Sequence, residues 1–107
     1  MSALTRSARG QQCLVRIPNY CNHDPSTVVA AHYRSISLGA GIGFKTDDVL
    51  TSYTCSSCHD VIDGRVQSEF SKTEIRLMHC EGVLRTIMHR VNKGQIRIGK
   101  SKALETE

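Results

Sequence analysis

Ile75, Met78, Gly82, Val83, Ile87 and Val91 recur at helical steps, which predicts an α-helix with one apolar face. Ser71 and Glu74 stand just ahead of that run in a capping-box pattern, and Gly94 supplies a stop behind it. Upstream the pattern changes. TVVAAHYR is dense in β-branched and small residues and predicts a strand ending near His32. VLTSYT predicts a second short strand. CHDVIDGRV predicts one or two helical turns ending at Gly64. In CLVRIPNYC, Pro18 and Asn19 mark a turn between two short extended pieces. SLGAGIGFK is a glycine-rich loop that lacks the G-x-x-x-x-G-K-[ST] spacing, so a phosphate-cradling nucleotide loop is rejected. Residues 1–10 read as a basic arm with helical character from Leu4 to Arg9. QIRIGK reads as a short edge strand, and SKALETE as a frayed tail.

These elements predict a single α+β domain over residues 1–107, with the arm at 1–10, a core at about 11–66 and the helix and tail at 71–107. Composition adds a constraint. The chain has no Trp, two Phe and three Tyr, so its core is thin, yet it carries five cysteines. No apolar stretch follows the basic N-terminal residues, which argues against export and for a cytoplasmic protein. No apolar run approaches the ~18 residues of a membrane span. Thiols kept reduced in a cytosol point to a metal rather than to disulfides. A net charge of +4 and a pI near 8.9 suit a polyanionic partner.

Cys55 and Cys58 form a C-x-x-C pair at the start of the predicted short helix, and Cys13 and Cys21 flank the turn at Pro18. Four thiolates in two pairs suit tetrahedral Zn²⁺, and a staple of this kind compensates for a small core. The C-x-x-C half is the specific signal; the first half, with seven residues between its cysteines, is wider than usual. Cys80 lies in the apolar pattern of the long helix and is expected to be a buried, inert thiol. CSSCH also matches the attachment sequence of c-type haem. That reading needs export and leaves Cys13 and Cys21 without a purpose, so it ranks last.

CLVRIP, AHYR and CSSCHD, set around a glycine-rich loop and DDVLTSYT, together resemble the HNH or His-Me finger (ββα-metal) nucleases. More closely they resemble the small prophage-encoded nucleases related to the phage recombination-enhancement nuclease. The resemblance covers about residues 6–66. It implies a ββα-metal core that hydrolyses phosphodiesters in DNA with Mg²⁺ or Mn²⁺, in recombination or DNA processing, with a recombinase filament as a further partner. It implies a general base at His32, the end of the first strand, and a catalytic-metal ligand at His59, directly after the second knuckle cysteine.

The residues around these positions refine that expectation. A hard cation wants oxygen ligands beside an imidazole. Asp63 lies four residues after His59 and shares its helical face, so it is preferred over Asp60. Two departures from the family pattern stand out. Many members carry an acidic residue before the base histidine, where this chain has Ala31. Many carry an asparagine between the two motifs, and residues 33–54 contain none. Asp48 is the nearest substitute, either orienting His32 or completing the metal shell. Arg34, Lys45 and Arg65 flank the site in sequence and are candidate phosphate clamps, against a solvated-surface reading of equal weight. His23, His79 and His89 are assigned no role. The alternative to a nuclease is a non-catalytic zinc-binding module for nucleic acid or protein, which would need the cysteines and the basic surface but neither His32 nor Asp63. Oligomeric state is left open by the sequence.

Overall fold

The computed structural model describes residues 2–39, 41 and 46–99. It contains a short helix α1 (Ala3–Arg6), strand β1 (Val29–His32), strand β2 (Thr51–Thr54), helix α2 (Ser56–Ile62) and the long helix α3 (Lys72–Asn92). This is a small α+β architecture with a two-stranded sheet. Among the described residues no helix is long and apolar enough to cross a membrane.

The strands pair antiparallel, with Val29 opposite Thr54 and His32 opposite Thr51. All four β2 residues are buried, although every one of them carries a hydroxyl. Burial of so polar a strand costs free energy unless its groups find partners. They do. Tyr53 donates its amide to Thr86 Oγ1 at 3.0 Å, and the Thr86 hydroxyl in turn donates to Gly82 O at 2.7 Å. The Tyr53 carbonyl accepts from Leu14 N at 2.8 Å. The β2 edge that faces away from β1 is thereby closed by a helix side chain and a loop amide, which leaves no bare row of backbone groups there.

α3 begins as its sequence predicts. Ser71 Oγ accepts from Glu74 N at 3.1 Å, and Glu74 Oε1 accepts from Ser71 N at 2.7 Å. Gly94 takes φ 76° just past the end, a conformation open to glycine. The face it buries differs from the apolar one expected. His79, Gly82, Val83, Thr86 and Arg90 are buried, whereas Ile87 and Val91 are only half-buried. The polar strand explains this, since α3 must bring donors and acceptors to β2. Arg90 is fully buried; its Nη2 donates to Leu4 O and Thr51 Oγ1, both at 2.9 Å, and its guanidinium lies 5.1 Å from the Tyr53 ring centre. Gly82 is required for a different reason: a Cβ there would lie 2.6 Å from Val15 Cγ2.

Three expectations are corrected. Residues 95–99 form no strand, because the amides of Gln95 and Ile96 return to Arg90 O and wind off the helix end. Cys80 is half-buried, on the flank of α3 rather than in its packed face. The helix in the N-terminal arm is a single turn, capped by Ser2, whose side chain accepts from Thr5 N. Most of the glycine-rich loop, Lys45 included, lies outside the described residues.

Candidate metal centre and histidine–carboxylate pocket

The four cysteines converge from two distant parts of the chain. Their sulfurs all lie within 4.8 Å of one another. Cys13 and Cys58 Sγ are 3.9 Å apart, and so are Cys21 and Cys55 Sγ. Four sulfurs around one zinc at the usual ~2.3 Å stand about 3.8 Å apart. The quartet can therefore hold a tetrahedral ion such as Zn²⁺ with almost no rearrangement.

Local backbone explains the convergence. Cys55 is the N-cap of α2, and its sulfur accepts from Cys58 N at 3.4 Å. On the other half, Arg16 N points at Cys13 Sγ (3.5 Å) and Ile17 N at Cys58 Sγ (3.3 Å). Amides aimed at sulfur favour the thiolate, the form a metal needs. The wide first knuckle is made compact by left-handed backbone at Arg16 (φ 53°) and Asn19 (φ 72°), costly conformations for non-glycine residues. Their persistence fits a cage that over-determines them. The Cys58 contact draws the Cys13 thiol down to about 4, and the same contact drives Cys58 upward. Burial pushes Cys21 up to about 11.

The second cluster forms beside the first. β1 ends at His32, whose Nε2 lies 2.8 Å from Asp48 Oδ1. Asp48 opens the short 3₁₀ turn at Asp48–Leu50 that leads into β2. The carboxylate can only accept, so Nε2 carries the hydrogen in the neutral ring and Nδ1 keeps the lone pair. His59 Nε2 on α2 and Oδ2 of Asp63, which caps the end of that helix, are 3.3 Å apart, about one turn from each other. One pocket is lined by His32, Tyr33, Arg34, Ile62, Asp63, Ile75, Arg76 and His79. It brings the end of β1, the end of α2 and the first half of α3 to one place.

The predicted cations are distributed unevenly. Arg34 lines the pocket. Arg65 instead spans two carboxylates, Nη1 to Asp60 at 2.9 Å and Nη2 to Asp63 Oδ2 at 3.0 Å. Asp63 Oδ2 thus faces both His59 and Arg65. Among the described residues, the cysteine quartet alone brings three or more ligand side chains within reach of one ion.

Two pocket residues had no sequence signal pointing to them. Arg76 stacks 4.8 Å over the Tyr33 ring and donates to Arg34 O at 3.3 Å. His79 is 5% exposed, packs edge-on to Tyr33, and meets Ala31 O through Nε2 at 3.3 Å. Burial holds its pKa below the usual histidine value, so near neutrality the ring is uncharged and Nε2–H donates to that carbonyl.

A small α+β domain that sets a four-cysteine cluster able to hold a metal against a histidine–carboxylate pocket is a recognisable class of construction. Its family is shown by sequence. Residues 2–95 match the family model described as "Putative nuclease YbcO", and the chain belongs to this family. It is 41% identical over 100 residues to the YbcO protein of Escherichia coli K12 and, equally, to the ybcO protein of Enterobacteria phage 82. Each alignment spans 91% of this chain and 99% of the relative. A solved structure described as a "putative bacteriophage protein" from Escherichia coli K-12 superposes with a TM-score of 0.70 at 34% identity, covering 84% of this chain and 98% of the other.

Proposed function

We propose that the protein is a divalent-metal-dependent DNA endonuclease of phage origin, working through an HNH-type ββα arrangement of β1, β2 and α2. One observation carries the reading: His32, braced by Asp48 at 2.8 Å, lines the same pocket as Asp63, which pairs with His59. Membership of the family described as "Putative nuclease YbcO" supports it.

The chemistry follows from these groups. Asp48 fixes the tautomer and tilt of His32, so that Nδ1 accepts a proton from an attacking water, in the manner of a base oriented by a carboxylate. The water oxygen bonds to phosphorus as the bond from phosphorus to the departing sugar oxygen breaks, and that oxygen is protonated by solvent. His59 and Asp63 would hold the cation, and their mixed nitrogen–oxygen donor set suits a Mg²⁺ or Mn²⁺ that keeps most of its waters and gains phosphate oxygens from the substrate. When bound, that ion supplies positive charge to the developing phosphorane and the leaving oxygen. Arg34 and Arg76 would grip flanking phosphates, and the overall charge of +4 favours backbone-driven, salt-sensitive binding. Arg65, held by two carboxylates, would reach phosphate only after releasing Asp63. Zn²⁺ in the cysteine cage serves architecture, not hydrolysis.

A second reading is favoured by the Arg65 contact. If Arg65 permanently neutralises Asp63, the protein is a zinc-stapled binding module. A nicking assay on supercoiled plasmid separates the two, comparing wild type and His32→Ala at equal zinc content with Mg²⁺, Mn²⁺ or EDTA. Metal-dependent cleavage lost in the variant is the expected result. Equal cleavage by both proteins would sink the assignment of His32. Binding without cleavage, on single-stranded and recombinase-coated DNA as well, would favour the module.

A further inference from the structure

α3 is amphipathic the wrong way round. Its inward face carries His79, Thr86 and Arg90, all buried. With about 100° of rotation per residue, the opposite face carries Leu77, Leu84 and Met88, which are 57%, 57% and 53% exposed. The half-buried Cys80, Ile87 and Val91 extend that face into a stripe. Leu77, Cys80, Leu84, Ile87 and Val91 are spaced three, four, three, four, the a/d seam of a helix that pairs with another helix. A groove continues the apolar surface onto the loop before β1, where Leu14 lies beside Leu84 and Met88. Single exposed leucines need no explanation, but a seam does.

Charge selects the occupant. Along one flank of the seam run Glu74, Glu81, Arg85 and Asn92. A second α3 laid antiparallel, with its two-fold axis near Val83, places Glu81 against Arg85 of the other copy and, by symmetry, repeats that pair. The same axis sets Glu74 opposite Asn92. A parallel pairing would set like charge beside like. Arg85 Nη1 is anchored on Leu14 O at 2.6 Å, which holds the guanidinium beside the seam, while its Nη2 makes only a long, surface-exposed ion pair with Glu81 at 3.9 Å and is the group that can turn to a partner. We infer that the outer face of α3 is a self-complementary interface through which two copies of this chain associate antiparallel. The seam from Leu77 to Val91 is about 21 Å long, which makes the interface small and the expected dissociation constant micromolar. The histidine–carboxylate pocket uses Ile75, Arg76 and His79, away from the seam, so this association stands or falls independently of the nuclease reading.

The test is sedimentation equilibrium of the full-length, zinc-loaded chain from low micromolar to several hundred micromolar, with helicity and zinc content checked for each variant. Wild type should shift from monomer to dimer. Leu84→Glu should remain monomeric with its fold intact, because the side chain it replaces is exposed. Arg85→Glu should weaken association about tenfold, and adding Glu81→Arg should restore it. Leu84→Cys should form an intermolecular disulfide on mild oxidation, since the antiparallel axis brings the two positions within the ~7 Å Cα limit, whereas Leu77→Cys should not. A folded wild type that stays monomeric throughout overturns the proposal and leaves the seam to the chain's own C-terminal tail or to another protein. A dimer indifferent to Leu84→Glu overturns it equally.

Discussion

The cysteine centre and the histidine–carboxylate pocket lie side by side but are built on opposite principles. Three of the four cysteines are buried, and the backbone amides of Arg16, Ile17 and Cys58 aim at their sulfurs, so the cluster is complete within itself. The pocket is open, and its members come from β1, a 3₁₀ turn, α2 and α3, held by contacts that differ in strength. A closed cluster leaves little room for change. An open one has space for a bound molecule, and its side chains, such as Asp63 between His59 and Arg65, can exchange partners.

That contrast can be broken first at the cage. Stripping the metal with a strong chelator should unfold the protein cooperatively, given that a structural zinc is worth on the order of 10 kcal/mol in small domains. Circular dichroism with and without added Zn²⁺ reads this, and retention of native helicity after complete stripping would show the cage to be dispensable. Next comes the pocket. His32→Ala should lower cleavage about 10²–10⁴-fold while leaving zinc content and thermal midpoint near wild type. Asp48→Asn should cost less and spare binding. If His32→Ala instead lost its zinc, the two regions would not be separable in the way described.

Two smaller effects sharpen the picture. Thr86→Val deletes the hydroxyl that satisfies the Tyr53 amide and should destabilise the fold by about 1–3 kcal/mol with pocket chemistry unchanged, as measured by urea unfolding. His79 should impose a gentle acid sensitivity. Its folded-state pKa is depressed by burial, so the unfolded chain binds the extra proton more readily. Stability attached to this group is whole above the ordinary histidine pKa of about 6.5 and drains away as pH falls below it. His79→Gln should flatten the drop in midpoint between neutral pH and about pH 5 relative to wild type. An identical slope in the variant would assign the acid sensitivity to groups other than His79.

Much of this was legible in the chain. The Ser71–Glu74 box starts α3, β1 does end at His32, and α2 stops before Gly64. Four cysteines in two pairs were enough to predict a cage. These signals are local, and local signals survive folding. The face of α3 was misread because apolar periodicity assumes that the neighbour is apolar, and β2 is not. Arg76 and His79 reach the pocket only through the crossing of α3 over the sheet, which no spacing in the sequence encodes. Nor could sequence show that Arg65 would turn back on Asp60 and Asp63. Four-residue spacing across the end of α2 made His59 and Asp63 easy to pair, but what else surrounds that pair is a tertiary matter.

The separation of the cage halves has a consequence for the order of events during synthesis. Cys13 and Cys58 are 45 residues apart, so the first knuckle leaves the ribosome long before its counterpart exists. An ion held by all four thiols could be enclosed only once α2 has emerged, and a loop of that length would have to close in the same step. At that moment the residues of α3 are still being made, and the Tyr53 amide of β2 has no Thr86 to meet. With a metal bound at that point, the nascent protein would be stapled but unsealed, with the Tyr53 edge of β2 open until its last helix arrives.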